Sequence, residues 1–263
     1  MTTQRVDWLT IVGLGMLMMP LMTMWHEIGG HAVFCVAQGG RASEIGAFYV
    51  QCDGLSGIAD ILVACAGVLV NAILCILAWA LWRRARGDLP RLVLWLLWVS
   101  QGFVAAGYFC FSGVSGVGDL GTAAGGSLAN MPFPLAWRIG ETAFGILAYI
   151  LLVRAAIRGL TAMLGTGPAT RTARLRIGYG FYATAGASAV LVGLLNPVGI
   201  FITIMSAAAS SFGGLAGFNS IANAVPRGDA PRDFVIERSW ILFVLGAIVL
   251  AGFAVVLGPT LRP

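Results

Sequence analysis

His26, Glu27 and His31 are the residues whose types and spacing best suit chemistry. They stand in the run Trp25-His26-Glu27-Ile28-Gly29-Gly30-His31, and His26 and His31 are the only histidines. Between Asp7 and Arg41 no other residue is acidic or basic. The surrounding stretch is apolar. A charged group at the centre of a membrane helix costs about 2.5–3.5 kcal/mol on insertion scales. Groups kept at that cost usually have a task. Two imidazoles and a carboxylate in one short helical run point to a bound metal, with the carboxylate as a base.

The spacing sets a geometric problem. A helix turns about 100° per residue, so ligands four apart, as in His-Glu-x-x-His, lie ~40° apart on one face. Here the run is His-Glu-x-x-x-His. His26 and His31 are five apart, and a regular helix separates them by ~140°. Two repairs restore a shared ion. A one-residue π-bulge absorbs the extra residue, and Gly29-Gly30 is where the backbone yields most easily. Alternatively Glu27 and His31, four apart, are themselves the ligand pair. A catalytic zinc takes three protein ligands, so a carboxylate must complete the set. Asp119 is the chosen third ligand, in a Gly-rich bend after an apolar span. Asp53, Asp60 and Glu141 are the other acidic candidates.

The elements that must position these groups are apolar helices. The chain of 263 residues is 59% apolar and 10% charged, against about 25% charged in soluble domains. The expected fold is an all-α polytopic membrane protein, a bundle of six or seven transmembrane helices. Spans are expected near 8–38, 60–82, 92–112, 138–158, 177–195 and 239–258, with 198–223 as a seventh span or a re-entrant pair. Span 8–38 is long for one crossing, so it is tilted, or broken near Pro20 or Gly29-Gly30. Residues 41–59 read as a short hairpin or re-entrant segment, with Asp53-Gly54 as the turn signal. Residues 1–125 form the core that carries the candidate site. Residues 126–263 add further helices to one integrated membrane domain.

All 16 basic residues are arginine. They flank the apolar spans, which speaks for cytoplasmic loops and against nucleic-acid binding. Arg83, Arg84, Arg86 and Arg91, and Arg154, Arg158, Arg171, Arg174 and Arg176, mark alternate loops. Loops 83–91 and 159–176 are therefore expected on the cytoplasmic side, and 41–59 and 113–137 opposite. The five cysteines contain no Cys-x-x-Cys pair, and no disulfide framework is expected; Cys35 reads as packing. The first apolar run is too long for a cleavable signal peptide.

At this point the chain resembles the site-2 protease family of intramembrane zinc metallopeptidases. His26-Glu27-Ile28-Gly29-Gly30-His31 is similar to that family's HExxH run, lengthened by one residue. Ala66-Gly67-Val68-Leu69-Val70-Asn71 resembles its Ala-Gly-Pro-x-x-Asn motif, with Val68 where proline is usual. Asp119 corresponds to its distal aspartate, followed here by Leu120 where glycine is usual. The resemblance covers residues 20–125. It implies Zn2+ held by His26, His31 and Asp119, Glu27 as the catalytic base, and Asn71 bonded to the substrate backbone or oxyanion. It implies a transmembrane protein or peptide as substrate, unwound at the site. The expected location is a bacterial inner membrane, within the lipid bilayer.

Each feature has a plainer alternative. Intramembrane histidines bridge helices by hydrogen bonds, Asn71 does the same, and Asp119 suits a turn. Two rival functions stand beside the peptidase: a non-proteolytic or degenerate membrane metalloenzyme, and a transporter in which Glu27 and the histidines carry protons or ions.

Overall fold

The structure, a computed structural model, describes residues 3–123, 126–197, 199–200 and 203–263. A short strand β1 (Gln4–Val6) leads into α1 (Trp8–Met24). Asp7 caps α1 by accepting from the backbone N–H groups of Leu9 and Thr10. α1 runs through Pro20 and passes without interruption into a π-helical segment, Trp25–Ala32, and then α2 (Val33–Ala37). A hairpin follows, β2 (Arg41–Ile45) and β3 (Val50–Asp53). Then come α3 (Ile58–Trp82), α4 (Asp88–Ser115) and α5 (Pro134–Leu164). A single 3-10 turn, Pro168–Thr170, precedes α6 (Arg171–Gly193). A second π-helical segment covers Thr203–Gly213, followed by α7 (Gly217–Asn223), β4 (Phe234–Ile236) and α8 (Trp240–Leu257).

Among the described residues, five helical stretches are long and apolar enough to cross a membrane: Trp8–Ala37, α3, α4, α5 and α8. Their outer faces suit hydrocarbon, with Ile76, Ile241 and Val255 each more than half exposed. The expected span at 177–195 is present as helix α6, but it is not among the five. The reason is its place. α6 packs against α1, α7 and the second π segment, so Gly178, Gly180, Ala185, Gly186 and Ala189 face protein on several sides. A helix lined by protein uses small residues where a lipid-facing one uses Leu and Ile. Within 198–223 the described residues form no single span. The π segment ends at Gly213, the chain turns, and α7 is only seven residues long.

The ends of the molecule sort by charge. β1 pairs in parallel with β4. Asp88, at the start of α4, accepts from Val235 N on β4. Gln4 donates to Leu164 O at the end of α5, and Arg176 donates to Val6 O. The arginine-bearing loops 83–91 and 159–176 therefore gather at one end with the N-terminal strand. The hairpin lies at the other, where Ile45 of β2 pairs with Leu261 beyond α8. The Gly-rich stretch around Asp119 lines a cavity with that hairpin.

The hairpin turn is not where Asp53-Gly54 suggests. It lies at 46–49, with Gly46 N donating to Tyr49 O. Gly54, at φ +87°, ends β3 instead. The larger correction concerns cysteine. Cys35 is bonded to Cys52, with their Cα atoms 5.9 Å apart, so Cys35 is not merely a packing residue. The chain reverses after α2 through Gly39 at φ +85°, and this brings β3 back over Cys35. The bond closes a separation of 17 residues, worth roughly 3 kcal/mol on a chain-entropy estimate. Maleimide labelling of the unfolded, unreduced protein is expected to modify the three thiols of Cys65, Cys75 and Cys110. All five cysteines should react only after reduction. Five reactive thiols before reduction would remove the bond.

Candidate metal centre

The site begins with the π-helical segment. A π turn closes its hydrogen bonds five residues apart, so residues at that spacing stack one above the other. Over Trp25–Ala32 this places His26 and His31 on one face. Their Nε2 atoms lie 3.2 Å apart, with the rings edge to face. Of the two repairs, the structure takes the bulge.

A close helix crossing holds the segment in place. A Cβ on Gly30 would lie 2.7 Å from Gly67 Cα, and a Cβ on Gly67 would lie 2.5 Å from His31 Nε2. The backbones of the π segment and α3 thus touch at glycine, directly behind the histidines. Gly30 serves this approach, whereas a Cβ on Gly29 would meet only the Trp25 ring.

Asp119 completes the group from the far side. Its Oδ2 lies 3.2 Å from His26 Nε2 and 3.4 Å from His31 Nε2. The three atoms form a nearly equilateral triangle. Ligands held at about 2.0–2.1 Å around a tetrahedral zinc ion stand about 3.3 Å from one another. The donor set, two imidazoles and a carboxylate, is also one zinc takes. The residues present therefore fit the ion. Asp119 Oδ2 is buried, and its partners are the two Nε2 atoms themselves.

The second nitrogen of each ring is tied. His31 Nδ1 lies 2.8 Å from Val63 O, so this nitrogen carries the proton and Nε2 keeps its lone pair. His26 Nδ1 lies 3.0 Å from Asn71 Nδ2, so as placed the amide nitrogen donates to the ring. A half-turn of that amide exchanges its oxygen and nitrogen, giving His26 the same tautomer. Bridging helices by hydrogen bonds explains the two Nδ1 contacts. It does not explain why two Nε2 atoms and a carboxylate oxygen converge.

Glu27 is buried beside this triangle, at 4% exposure. Its carboxylate lies with the two histidines in one group of ligand-type atoms, all within 4.8 Å of one another. Among the described residues it makes no hydrogen bond. It faces a cavity of about 1110 Å³ lined also by His31, Asp119, the hairpin residues Tyr49, Val50 and Gln51, and Ser210 of the second π segment. The second half of the chain thus supplies a wall of the site.

Asn71 is placed differently from expectation. It is fully buried on α3 and meets His26, not the large cavity where a substrate would lie. The other acidic candidates stay apart from the histidines. Asp53 is exposed on the hairpin, where the Ser43 hydroxyl and the Gln51 amide hold its carboxyl below the usual range. Asp60 lines the cavity without touching either histidine, and Glu141 is buried on α5. Tyr108 was not foreseen. Its ring stacks on His26 with centroids 4.8 Å apart and planes 11° apart. Its one sequence signal is spacing: Gln101, Val104 and Tyr108 follow one face of α4. No protein-family model matches this chain, and neither does any curated protein or solved structure.

Proposed function

We propose that the chain is a membrane-embedded zinc peptidase acting on transmembrane protein or peptide substrates. The observation that carries this reading is the convergence of His26 Nε2, His31 Nε2 and Asp119 Oδ2 at 3.2–3.4 Å, beside a buried carboxylate and a large cavity. His26, His31 and Asp119 hold the ion. Zinc bound there supplies Lewis acidity and lowers the pKa of water at the site to about 7. Glu27 takes the proton of the attacking water at its carboxylate and returns it to the leaving amine. Asn71 orients His26 through Nδ1, a positioning role in place of the substrate contact expected of it. The motifs that resemble the site-2 protease family are the ones that meet here, which adds weight to this choice over other metal chemistry.

β3 supports a peptide substrate in particular. It pairs with β2 alone among the described residues, and Val50, Gln51 and Cys52 line the cavity. An extended segment placed there gains backbone hydrogen bonds as an added strand. A transmembrane helix must unwind to reach a carboxylate at such a site, and an unpaired strand edge offers its freed N–H and C=O groups new partners.

The test is metal content and cleavage on the same samples. Wild-type protein purified without chelator is expected to carry about one zinc ion. It should cleave a membrane-embedded reporter, stop when chelated, and resume when zinc is restored. His31→Ala and Asp119→Ala should lose both metal and cleavage, since each removes a ligand. A wild-type protein free of metal would overturn the proposal in favour of the ion- or proton-pathway reading.

A further inference from the structure

A second, smaller cavity of about 60 Å³ lies behind the histidine that Asn71 orients. His26, Glu27, Asn71, Gln101 and Thr23 line it, with Met19 and Met22 of α1. Two of these side chains carry a buried polar atom without a partner: Asn71 Oδ1 and Gln101 Oε1. Asn71 is 0% exposed and Gln101 1%. Neither residue lines the large cavity.

We propose that this cavity is a built-in water site, with Asn71 and Gln101 as the groups that hold the water beside Glu27. The volume exceeds the ~10–15 Å³ that one water needs. A buried water also needs two to four polar partners. The two orphaned amide atoms and the Glu27 carboxylate meet that number. Water suits them whichever way the Asn71 amide is turned, because it both donates and accepts. The hydroxyl-bearing residues Thr23, Tyr108, Ser206, Ser210 and Ser211 also line the cavity, so its wall is polar enough to hold water. The Gln101 side chain has no hydrogen bond to another described residue, so packing alone gives no reason for an amide at that position. As a reserve for hydrolysis the site rests on the peptidase reading; as a water site it does not.

Radiolytic hydroxyl-radical footprinting reads buried water directly, because radicals formed from a bound water oxidise the side chains beside it. Methionine is a sensitive reporter, and this chain has internal controls. Met19 and Met22 line the cavity, while Met18 and Met163 are comparably buried and line neither cavity. Met19 and Met22 are expected to oxidise several-fold faster than Met18 and Met163 in the wild-type protein. In Gln101→Leu their rates should fall towards that of Met18, and Gln101→Glu should restore them. Metal content serves as the check that the centre is intact in each variant. Equal rates for all four methionines in the wild-type protein would overturn the proposal without reference to any variant. So would unchanged labelling in a folded Gln101→Leu protein. A failure of the peptidase reading alone would appear in the cleavage assay and leave this labelling pattern in place.

Discussion

Glu27→Gln protein is expected to fold, to carry the same metal content as wild type, and to lose cleavage by about 10²–10⁴-fold, the range typical of a general base. The substitution keeps the shape of a side chain that is 4% exposed. It breaks no hydrogen bond to a described residue, since the Glu27 side chain makes none. The metal should stay because the triangle of close donor atoms is formed by His26, His31 and Asp119. What is lost is a carboxylate able to accept a proton. The result separates this residue from its neighbours: metal without cleavage in Glu27→Gln, neither in His31→Ala. Two outcomes would count against the assignment. Full cleavage by Glu27→Gln would falsify the base. Loss of metal would make Glu27 a ligand, returning to the pair that Glu27 and His31 form by their four-residue spacing.

Gly67→Ala is expected to abolish metal binding while leaving helix content unchanged. The added methyl would lie 2.5 Å from His31 Nε2, 2.5 Å from His26 Cε1 and 2.6 Å from His26 Nε2. Two imidazole rings must move to admit it. Overpacking of this kind costs about 1–3 kcal/mol, which a folded chain can survive. The donor atoms have less room, because ligand distances must hold to about 0.2 Å. Gly30→Ala strains the same crossing from the other side, with its Cβ 2.7 Å from Gly67 Cα. Gly140→Ala is the control, since nothing lies within 4 Å of a Cβ there. Metal analysis and circular dichroism on the three proteins decide the matter. A Gly67→Ala protein with full metal content would show that the crossing relaxes without disturbing the ring nitrogens.

Much of this site could be read from local sequence. The five-residue spacing of His26 and His31 demanded a departure from α geometry, and the π segment at Trp25–Ala32 is that departure. The isolation of three polar groups in an apolar run singled them out, and a Gly-rich bend made Asp119 the plausible third member. What escaped was set by contacts between distant residues. The Cys35–Cys52 bond depends on the reversal after α2 and the register of the hairpin, neither of which a cysteine count reveals. Asn71 looked like a substrate contact because its type allows it; only the packing of α3 on the π segment turns it to His26. Gln101 lies on α4, where one amide in an apolar helix has no meaning until Glu27 is seen to line the same cavity. The reduced apolarity of α6 has the same origin, since the sequence does not say that other elements will surround it.

The disulfide also marks orientation. Cys52 sits on the hairpin, at the end of the molecule opposite the arginine-bearing loops. In a chain inserted with those loops in the cytoplasm, the hairpin lies in the space where thiols oxidise. The same bond would stay open in a chain inserted the other way, because the cytoplasm keeps thiols reduced. Cys35 lies four residues after His31, and β3 borders the cavity that Glu27 faces. A copy inserted with the arginine-bearing loops in the cytoplasm would therefore have the wall of its cavity covalently fastened beside the histidines, and a copy inserted the other way would not.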